Sequence, residues 1–273
     1  QVYAHAFANA QHFVYLENQY FWLHSYAGLD FSLLGLDSPD MERNIHELGA
    51  ALKRGATVSI VLPDHPNVGR AFTDAGLNRL REEAPEAMAQ GRIQAFCLGT
   101  SMNLDGVEQY RPVYVHAKVA VIDDTFSTLG SGNLNNRGMR DDTEMNVAVL
   151  DPQHAHGLRL LLIAEHLDLF DEDDLFIAAR HLGGQRQKPE LEQLARDVWA
   201  SLEQQLGDPR VALERMIAQA QENLRRFQSK QPLVGHLLPY FTSEEAQAAG
   251  LPFTEKVGWL ETEDDEEKTK LTA

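Results

Sequence analysis

The sequence predicts an α/β fold in which helices cover both faces of a β-sheet and a mostly helical region follows. Short apolar runs of strand length recur between residues 13 and 150, bounded by glycine, proline or polar residues. Segments with apolar residues at helical spacing separate several of these runs. Strands that alternate with helices in this way are typical of a sheet buried on both faces.

The first part of the chain shows clear start and stop signals for its elements. Ser38-Pro39 is a typical helix start, Gly55 is a typical helix end, and Pro63 closes the strand that follows. In chain order we expect a helix at 4–11, a strand at 13–16, a polar loop at 25–37, a helix at 38–54, a strand at 57–62, a polar helix at 72–90 and a strand at 93–98.

The remaining strands lie close together, and the character of the chain then changes. Strands are expected at 118–122, 126–130 and 145–150, and a helix at 158–169. A charge run at 171–174 and Gly183-Gly184 follow, after which leucine and valine repeat at helical spacing. We therefore expect an α/β domain at 1–170, a helical extension at 171–260 and an acidic, disordered tail at 261–273.

Composition limits the possible functions. The chain has 273 residues, 43% of them hydrophobic, and no apolar run near the roughly 18 residues of a membrane span. Its net charge of −17 argues against tight, unspecific binding to nucleic acid, which needs many cationic contacts to phosphate. The single cysteine, Cys97, allows no intramolecular disulfide. Because the chain starts with Gln1 in place of methionine and a helix is already expected from residue 4, we expect it to be a piece of a longer protein.

One short segment carries the chemistry. His116 and Lys118 lie two residues apart, so strand alternation places them on the same face. Ser131 and Asn133 follow in a tight Gly-Ser-Gly-Asn exit from the next strand. Lysine supplies a compact charge for phosphate, the hydroxyl and amide supply directional donors, and imidazole acts as nucleophile or general acid. Such a set is suited to hold and attack a phosphodiester.

Two carboxylates accompany this set. Glu144, at the start of the last strand, is the candidate to fix the tautomer of His116. Asp123 faces away from His116 and is expected to anchor structure, although it belongs to the same motif. Ser131 is explained about as well by a turn role.

These residues resemble a known family. His116-x-Lys118, Asp123 and Gly130-Ser131-x-Asn133 match the HxK…D…GSxN motif of the phospholipase D superfamily, with Glu144 where that family has its histidine-orienting carboxylate. The segment 15–21, Tyr-Leu-Glu-Asn-Gln-Tyr-Phe, resembles the strand that opens the second half of lipid-cleaving members. Residues 134–139, 142–144 and 164–167 also look like bacterial phospholipase D-like enzymes, including secreted antibacterial effectors.

The resemblance implies that residues 1–170 form a catalytic half-domain with a phospholipase D-like α-β-α sandwich. It also implies that this domain cleaves a phospholipid, or transfers its phosphatidyl group to an alcohol, without a metal or a cofactor. Family members combine two such motifs, one histidine attacking phosphorus and the other protonating the leaving group. This chain has one His-x-Lys motif. Its partner is therefore expected on a separate N-terminal half or a second copy. His116 takes the acid/base role by resemblance, but the two roles could be reversed.

Two other functions remain open. The first is a nuclease of the same superfamily acting as a symmetric dimer, which the acidic charge and the segment at 15–21 disfavour. The second is a non-catalytic half that binds lipid or phosphate, or serves as a scaffold.

Further candidates lie near the motif. Substrate-binding residues are Glu17, Asn18, Gln19 and Arg137, although the first three fit a buried polar network equally well. An acyl-chain or membrane-contact surface could combine the aromatic segment 20–22 with Leu33, Leu34 and Leu36, and core packing explains that segment at least as well. No cluster with metal-ligand spacing is expected.

Overall fold

The computed structural model describes residues 1–24, 38–64, 69–255 and 257–261. The predicted loop at 25–37, including Leu33, Leu34 and Leu36, and all but the first residue of the predicted acidic tail lie outside the described residues. In the described part, the strands are β1 (Phe13–Asn18), β2 (Thr57–Val61), β3 (Ile93–Leu104), β4 (Val107–Val113), β5 (Lys118–Ile122), β6 (Phe126–Gly130), β7 (Asn146–Val149) and β8 (Leu237–Pro239).

These strands form one mixed sheet. Its order is β4-β3-β2-β1-β5-β6-β7, and β8 pairs with β3 outside this path. The strands β1, β2 and β3 are parallel, whereas β5 runs antiparallel to β1 and places Lys118 opposite Asn18. The carboxyl end of β1 and the first residue of β5 therefore lie side by side, which positions the residues of the motif.

Helices cover both faces of the sheet, as the sequence predicts. The described helices are α1 (Val2–Asn9), α2 (Pro39–Arg54), α3 (Arg70–Glu83), α4 (Pro85–Ala89), α5 (Pro152–Leu167), α6 (Glu172–Leu182), α7 (Pro189–Leu206), α8 (Pro209–Gln228) and α9 (Ser243–Ala248). On one face, side chains of α1 to α4, such as Phe7, Ile45 and Leu80, pack against Val14 and Leu16 of β1. The result is an α-β-α sandwich.

The opposite face of β1 packs against the later helices. Phe13 and Tyr15 share a buried cluster with Leu160 of α5, Leu202 of α7 and Met216 of α8. The region after residue 170 is thus mostly helical, as predicted, and its helices α7 and α8 form part of the second layer. They share one core with the sheet.

The last described residues close this arrangement. Strand β8 joins the sheet beside β3, and Trp259 and Leu260 belong to the buried cluster on the α1–α4 face. The carboxylate of Asp64, after β2, accepts hydrogen bonds from the backbone amides of Trp259 and Leu260 at 2.8 and 2.9 Å. Arg70 forms an ion pair with the same carboxylate at 3.0 Å.

Several elements differ from the predicted ones. Pro85 divides the helix expected at 72–90 into α3 and α4, because proline cannot continue a helical hydrogen-bond ladder. The strand expected to end at Leu98 continues to Leu104 and turns at Asp105-Gly106 into β4, which was not predicted. The charge run at 171–174 starts α6, with Asp171 as its N-cap.

Strand β7 ends the sheet at the edge away from β4. It is flanked by Met145 and Leu150, which are 77% and 82% exposed, and Val147 within it is 55% exposed. Opposite Val147 on the neighbouring strand lies Leu129, which is also exposed. This edge therefore carries an apolar surface in contact with solvent. Among the described residues, no helix is both long and apolar enough to cross a bilayer.

Candidate active site

The residues of the motif meet where four strand ends come together. Strand β1 ends at Asn18, β5 begins at Lys118, β6 ends at Gly130 and β7 begins at Asn146. Cross-strand pairing sets Asn18 against Lys118 and Gly130 against Asn146. Side chains that are far apart in sequence are thereby gathered at one end of the sheet.

Gln19 joins two residues of the motif directly. Its Oε1 accepts a hydrogen bond from Nζ of Lys118 at 2.9 Å and another from Nδ2 of Asn133 at 3.3 Å. The Lys118 ammonium also donates to the backbone carbonyl of His116 at 2.7 Å. The predicted substrate-binding residue Gln19 is buried, and its contacts hold Lys118 and Asn133 in place.

Lys118 is a buried cation whose bound partners are neutral. It is 4% exposed, and both oxygens that accept from it belong to uncharged groups. Burial lowers the pKa of Lys118 to about 8, and the charge of Glu144 counteracts this only in part. A phosphate placed here would supply the counter-charge that the protein does not provide in full.

His116 lies just before β5, with its ring exposed. The ring stacks on that of Tyr114, with centroids 6.0 Å apart and planes inclined by 28°. Because His116 is exposed next to the buried Lys118, its imidazole can meet a ligand that approaches from solvent. The neighbour Tyr114 was not predicted as a site residue, although it lies two residues before the histidine in an alternating pattern.

The Gly-Ser-Gly-Asn exit is shaped by close backbone contact. A side chain on Gly130 would clash with the carbonyl of Met145 and with Asn146, so glycine is required for β7 to approach. The Ser131 hydroxyl accepts from the amide of Met145 at 3.0 Å. This bond ties the exit to the residue after Glu144, whose side chain is half-buried and whose charge acts on Lys118.

Asn18 and Glu17 support the site through buried hydrogen bonds. The Oδ1 of Asn18 accepts from the amide of Leu134 at 3.1 Å, which fixes the chain after Asn133. The Glu17 carboxylate is buried and accepts from the Tyr15 hydroxyl at 2.6 Å, and it pairs with Nε2 of His166 at 3.0 Å. Both residues belong to a buried polar network, one of the two alternatives that the sequence left open.

The buried pair has coupled ionisation. Burial pushes the pKa of Glu17 up, but the charge and hydrogen bond of His166 outweigh burial, so that the pKa is lowered. Burial pushes the pKa of His166 down, and the charge and hydrogen bond of Glu17 reverse this, so that the pKa is raised. Both partners therefore favour their charged forms. The sequence places His166 in the resembling segment 164–167 but does not reveal its pairing with Glu17, because 149 residues separate the two.

Asp123 lies at the other end of β5, away from the motif. Its carboxylate accepts hydrogen bonds from the backbone amides of Gln11, His12 and Phe13 at 2.7 to 2.9 Å. These contacts join the start of β1 to the end of β5. The structure thus places Asp123 in an anchoring position, as its alternation in the strand suggests, and not beside His116.

The remaining predicted residues lie outside the cluster of Lys118, Gln19 and Asn133. Arg137 is exposed at the start of a π-helical turn and pairs with Asp142 at 2.9 Å. Such turns occur often at functional sites. Phe21 and Trp22 are 0% and 3% exposed, so for these two residues the structure shows core packing, the alternative to membrane contact that the sequence left open. Trp22 instead packs edge-on against Phe72.

The assembled group can hold an anion and move a proton. Lys118 supplies charge, Asn133 supplies an amide fixed at one end by Gln19, and His116 supplies an exposed imidazole. Within the described ranges, no group of three or more His, Cys, Asp or Glu side chains could hold a metal ion. The chemistry of the gathered residues is therefore that of a cationic and imidazole site.

An α-β-α sandwich with a His-x-Lys and Gly-Ser-x-Asn site at one end of its sheet has the features of the phospholipase D superfamily. The family model described as "Cardiolipin synthase, PLD-like domain" matches residues 3–161. Since this match spans more than half of the chain, the chain belongs to this family. Members of the superfamily are phosphodiesterases.

Curated relatives are longer plant proteins. Phospholipase D beta 2 of Arabidopsis thaliana is 28% identical over 243 residues, which is 66% of this chain and 25% of that protein. Phospholipase D alpha 1 of Ricinus communis is 28% identical over 228 residues, 63% of this chain and 28% of that protein. The chain thus spans about a quarter of the length of these relatives.

Solved structures of the superfamily are also similar. The phospholipase D family member Nuc from Salmonella typhimurium aligns with a TM-score of 0.36 and 19% identity, covering 58% of this chain and 80% of that one. The phosphatidylserine synthase of Haemophilus influenzae aligns with a TM-score of 0.38 and 17% identity, covering 56% of this chain and 31% of that one.

Proposed function

We propose that this chain supplies one half of a two-histidine active site that cleaves a phosphodiester, with a phospholipid as substrate. The observation that carries this proposal is the cluster of Lys118, Gln19 and Asn133 beside the exposed His116. A buried lysine with only neutral acceptors is well suited to a phosphate oxygen, because the ligand completes its charge balance. The amide of Asn133 adds a directional donor.

The reaction follows two displacement steps. A histidine nitrogen forms a bond to phosphorus while the bond from phosphorus to the alcohol oxygen breaks, and a second histidine donates its proton to the departing oxygen. The second histidine then takes a proton from water or an alcohol, whose oxygen attacks phosphorus and releases the first histidine. Lys118 stabilises charge on the phosphoryl oxygens in both steps. His116 takes the acid/base role in this proposal.

The other histidine comes from a second motif. The chain contains one His-x-Lys sequence, and it matches only about a quarter of the length of its relatives. We infer that the second motif lies on a separate N-terminal half or on a second copy of the chain. Native mass spectrometry distinguishes these sources: a second, non-identical polypeptide indicates a split enzyme, whereas two copies of this chain indicate a symmetric dimer.

Lipid is the favoured substrate for two reasons. The relatives that match over most of this chain are named phospholipases D. The net charge of −17 disfavours a long polyanion such as DNA, whose binding depends on many cationic contacts. A lipid presents a single phosphodiester to one cationic pocket. Activity as a secreted antibacterial effector is a further proposal, based on the resemblance of the segments at 134–139 and 164–167.

The test is a turnover assay on the assembly that contains this chain. Release of headgroup from phospholipid vesicles and formation of phosphatidylethanol in added ethanol report hydrolysis and transfer. We expect His116→Ala to lower both by at least about 10³-fold, because it removes proton transfer at the reacting oxygen. The matched control is His46→Ala, which alters an exposed histidine on α2 and should retain full activity.

Three results would contradict the proposal. Appreciable activity of a folded His116→Ala variant removes this histidine from the mechanism. Metal-free cleavage of plasmid DNA without any cleavage of phospholipid makes the chain a nuclease. Tight binding of phosphate without turnover in any assembly supports the non-catalytic alternative.

A further inference from the structure

The orientation of the Gln19 amide can be assigned from its neighbours. The Lys118 ammonium can only donate hydrogen bonds, so the group that faces it must be an oxygen. The Oε1 of Gln19 therefore points to Lys118, and Nε2 points to the other side. There it meets the hydroxyl of Tyr114.

This assignment fixes the role of the Tyr114 hydroxyl. An amide nitrogen can only donate, so the oxygen of Tyr114 accepts from Gln19. The Tyr114 oxygen thus receives a hydrogen bond from Gln19 and does not use its own proton in it.

The position of Tyr114 matches a role in ligand binding. Its side chain is exposed, its ring stacks on that of His116, and its hydroxyl is joined through Gln19 to both Lys118 and Asn133. Any anion that contacts His116 and Lys118 together therefore approaches the Tyr114 hydroxyl as well.

We propose that Tyr114 is a further substrate-contacting residue, whose hydroxyl donates a hydrogen bond to a non-bridging oxygen of the phosphoryl group. This inference rests on the proposed function, since it concerns the same ligand. Gln19 acts as a positioning residue, because its side chain bonds to Lys118, Asn133 and Tyr114 and so orients all three. The ring of Tyr114 limits the movement of the His116 imidazole against which it lies.

The test compares two tyrosine variants that each remove one hydroxyl. Tyr114→Phe keeps the ring and removes the proposed donor. Tyr110→Phe is the control on β4, four residues before Tyr114, where the hydroxyl donates to the backbone carbonyl of Gln231 away from the motif. Binding of inorganic phosphate is measured by calorimetry, and thermal unfolding of each variant is recorded in parallel.

We expect Tyr114→Phe to weaken phosphate binding about 10-fold, because it loses one hydrogen bond to a charged group, and to lower the melting temperature modestly, because it also removes the acceptor for Gln19. Tyr110→Phe should bind phosphate like the original protein. In the turnover assay, Tyr114→Phe should lower kcat/KM by about 10- to 100-fold. A role confined to structure would lower the melting temperature but leave phosphate affinity unchanged.

The outcomes separate this inference from the proposed function. If the original protein binds phosphate and Tyr114→Phe binds it equally well, the inference fails and the proposed function stands. If the original protein binds no phosphate and cleaves no phospholipid, both fail. Equal losses in Tyr114→Phe and Tyr110→Phe would also overturn the inference, since only one of these hydroxyls lies at the site.

Discussion

At the scale of single residues, Lys118 is buried, and nearby negative charge compensates its positive charge only in part. Its ammonium contacts a carbonyl and an amide oxygen, and its pKa falls to about 8. The site is therefore cationic at neutral pH but loses its charge within the range that proteins tolerate. Strongly perturbed pKa values cluster at functional sites.

This pKa predicts a pH dependence of anion binding. Affinity for dimethyl phosphate, which keeps one negative charge from pH 6 to 10, should fall as pH rises through about 8, because Lys118 becomes neutral. Calorimetric titrations between pH 6.5 and 9.5 measure this change. Lys118→Arg is the control: its guanidinium stays charged, so its affinity should not fall over this interval. A flat profile in the original protein would contradict the prediction.

Two substitutions of Gln19 give a second test: one removes a hydrogen-bond acceptor, and the other adds a negative charge. Gln19→Leu removes the acceptor for Lys118 and Asn133, so we expect turnover to fall about 10²-fold and stability to fall by about 1–3 kcal/mol. Gln19→Glu restores an acceptor and raises the pKa of Lys118, yet it places a negative charge beside the bound phosphate. Its phosphate affinity should therefore be lower at neutral pH, although its pH profile extends to higher pH.

Residues close in sequence could be predicted, and distant partners could not. The spacing of His116, Lys118 and Asn133 is a local property, so the motif was visible in the sequence. The contact of Gln19 with Tyr114 joins residues 95 positions apart and depends on how β1 meets β5. No periodicity in either segment encodes that pairing. The catalytic roles of Ser131 and Glu144 stay predictions.

At the scale of elements, a buried ion pair joins β1 to α5. Glu17 and His166 are each about 4% exposed and lie directly beneath the strand end that carries Gln19. Because both charged forms are favoured, neither partner tolerates the loss of the other in this environment. The pair fixes the position of the strand end relative to the helix layer.

We expect this pair to stabilise the fold within a limited pH window. The raised pKa of His166 gives stability that is fully present below about 6.5 and is lost as pH rises through the folded-state pKa. The lowered pKa of Glu17 gives stability that is present above about 4.3 and is lost as pH falls through its folded-state pKa. Urea unfolding between pH 3 and 9 tests both limits.

Substitution separates the pair from simple packing. Glu17→Gln alone should lower the free energy of unfolding by about 3–5 kcal/mol, since it leaves the His166 charge buried without its partner. The double variant with His166→Gln should recover much of this loss. If the separate losses of Glu17→Gln and His166→Gln added up to the loss of the double variant, the ion pair would have no coupling energy.

Most elements up to β7 could be predicted because their boundaries have local signals. Ser38-Pro39 and Gly55 define α2 in the sequence as in the structure. Strand β4 has no clear apolar alternation, and β8 has only three residues, so tertiary pairing with β3 determines both. Local sequence signals are too weak to specify such strands.

At the scale of the whole molecule, one buried carboxylate holds the last described segment of the chain. Asp64 contacts Arg70 and the amides of Trp259 and Leu260, and it is fully buried. It thereby connects the end of β2 to a segment almost 200 positions later. The region expected as an extension is linked to the sheet by polar contacts as well as by its core.

This contact predicts a large effect of Asp64→Ala. The change leaves the Arg70 charge and two backbone amides without their acceptor, so we expect a loss of about 3–5 kcal/mol in unfolding free energy. Urea denaturation measures the loss. The control, Glu222→Ala, removes an exposed ion pair with Arg225 on α8 and should change stability little. A small change in unfolding free energy for Asp64→Ala would show that packing alone holds Trp259 and Leu260 in place.

The open edge at β7 has a consequence for how the isolated chain behaves at high concentration. An edge strand presents unpaired amide and carbonyl groups, and here exposed Met145, Val147 and Leu150 accompany them. Apolar edges of this kind recruit further strands and favour aggregation. No lysine or proline within β7 itself guards against such recruitment. This edge thus makes the isolated chain prone to precipitate at high concentration. In a cell, it makes the chain a candidate for removal by chaperones and proteases.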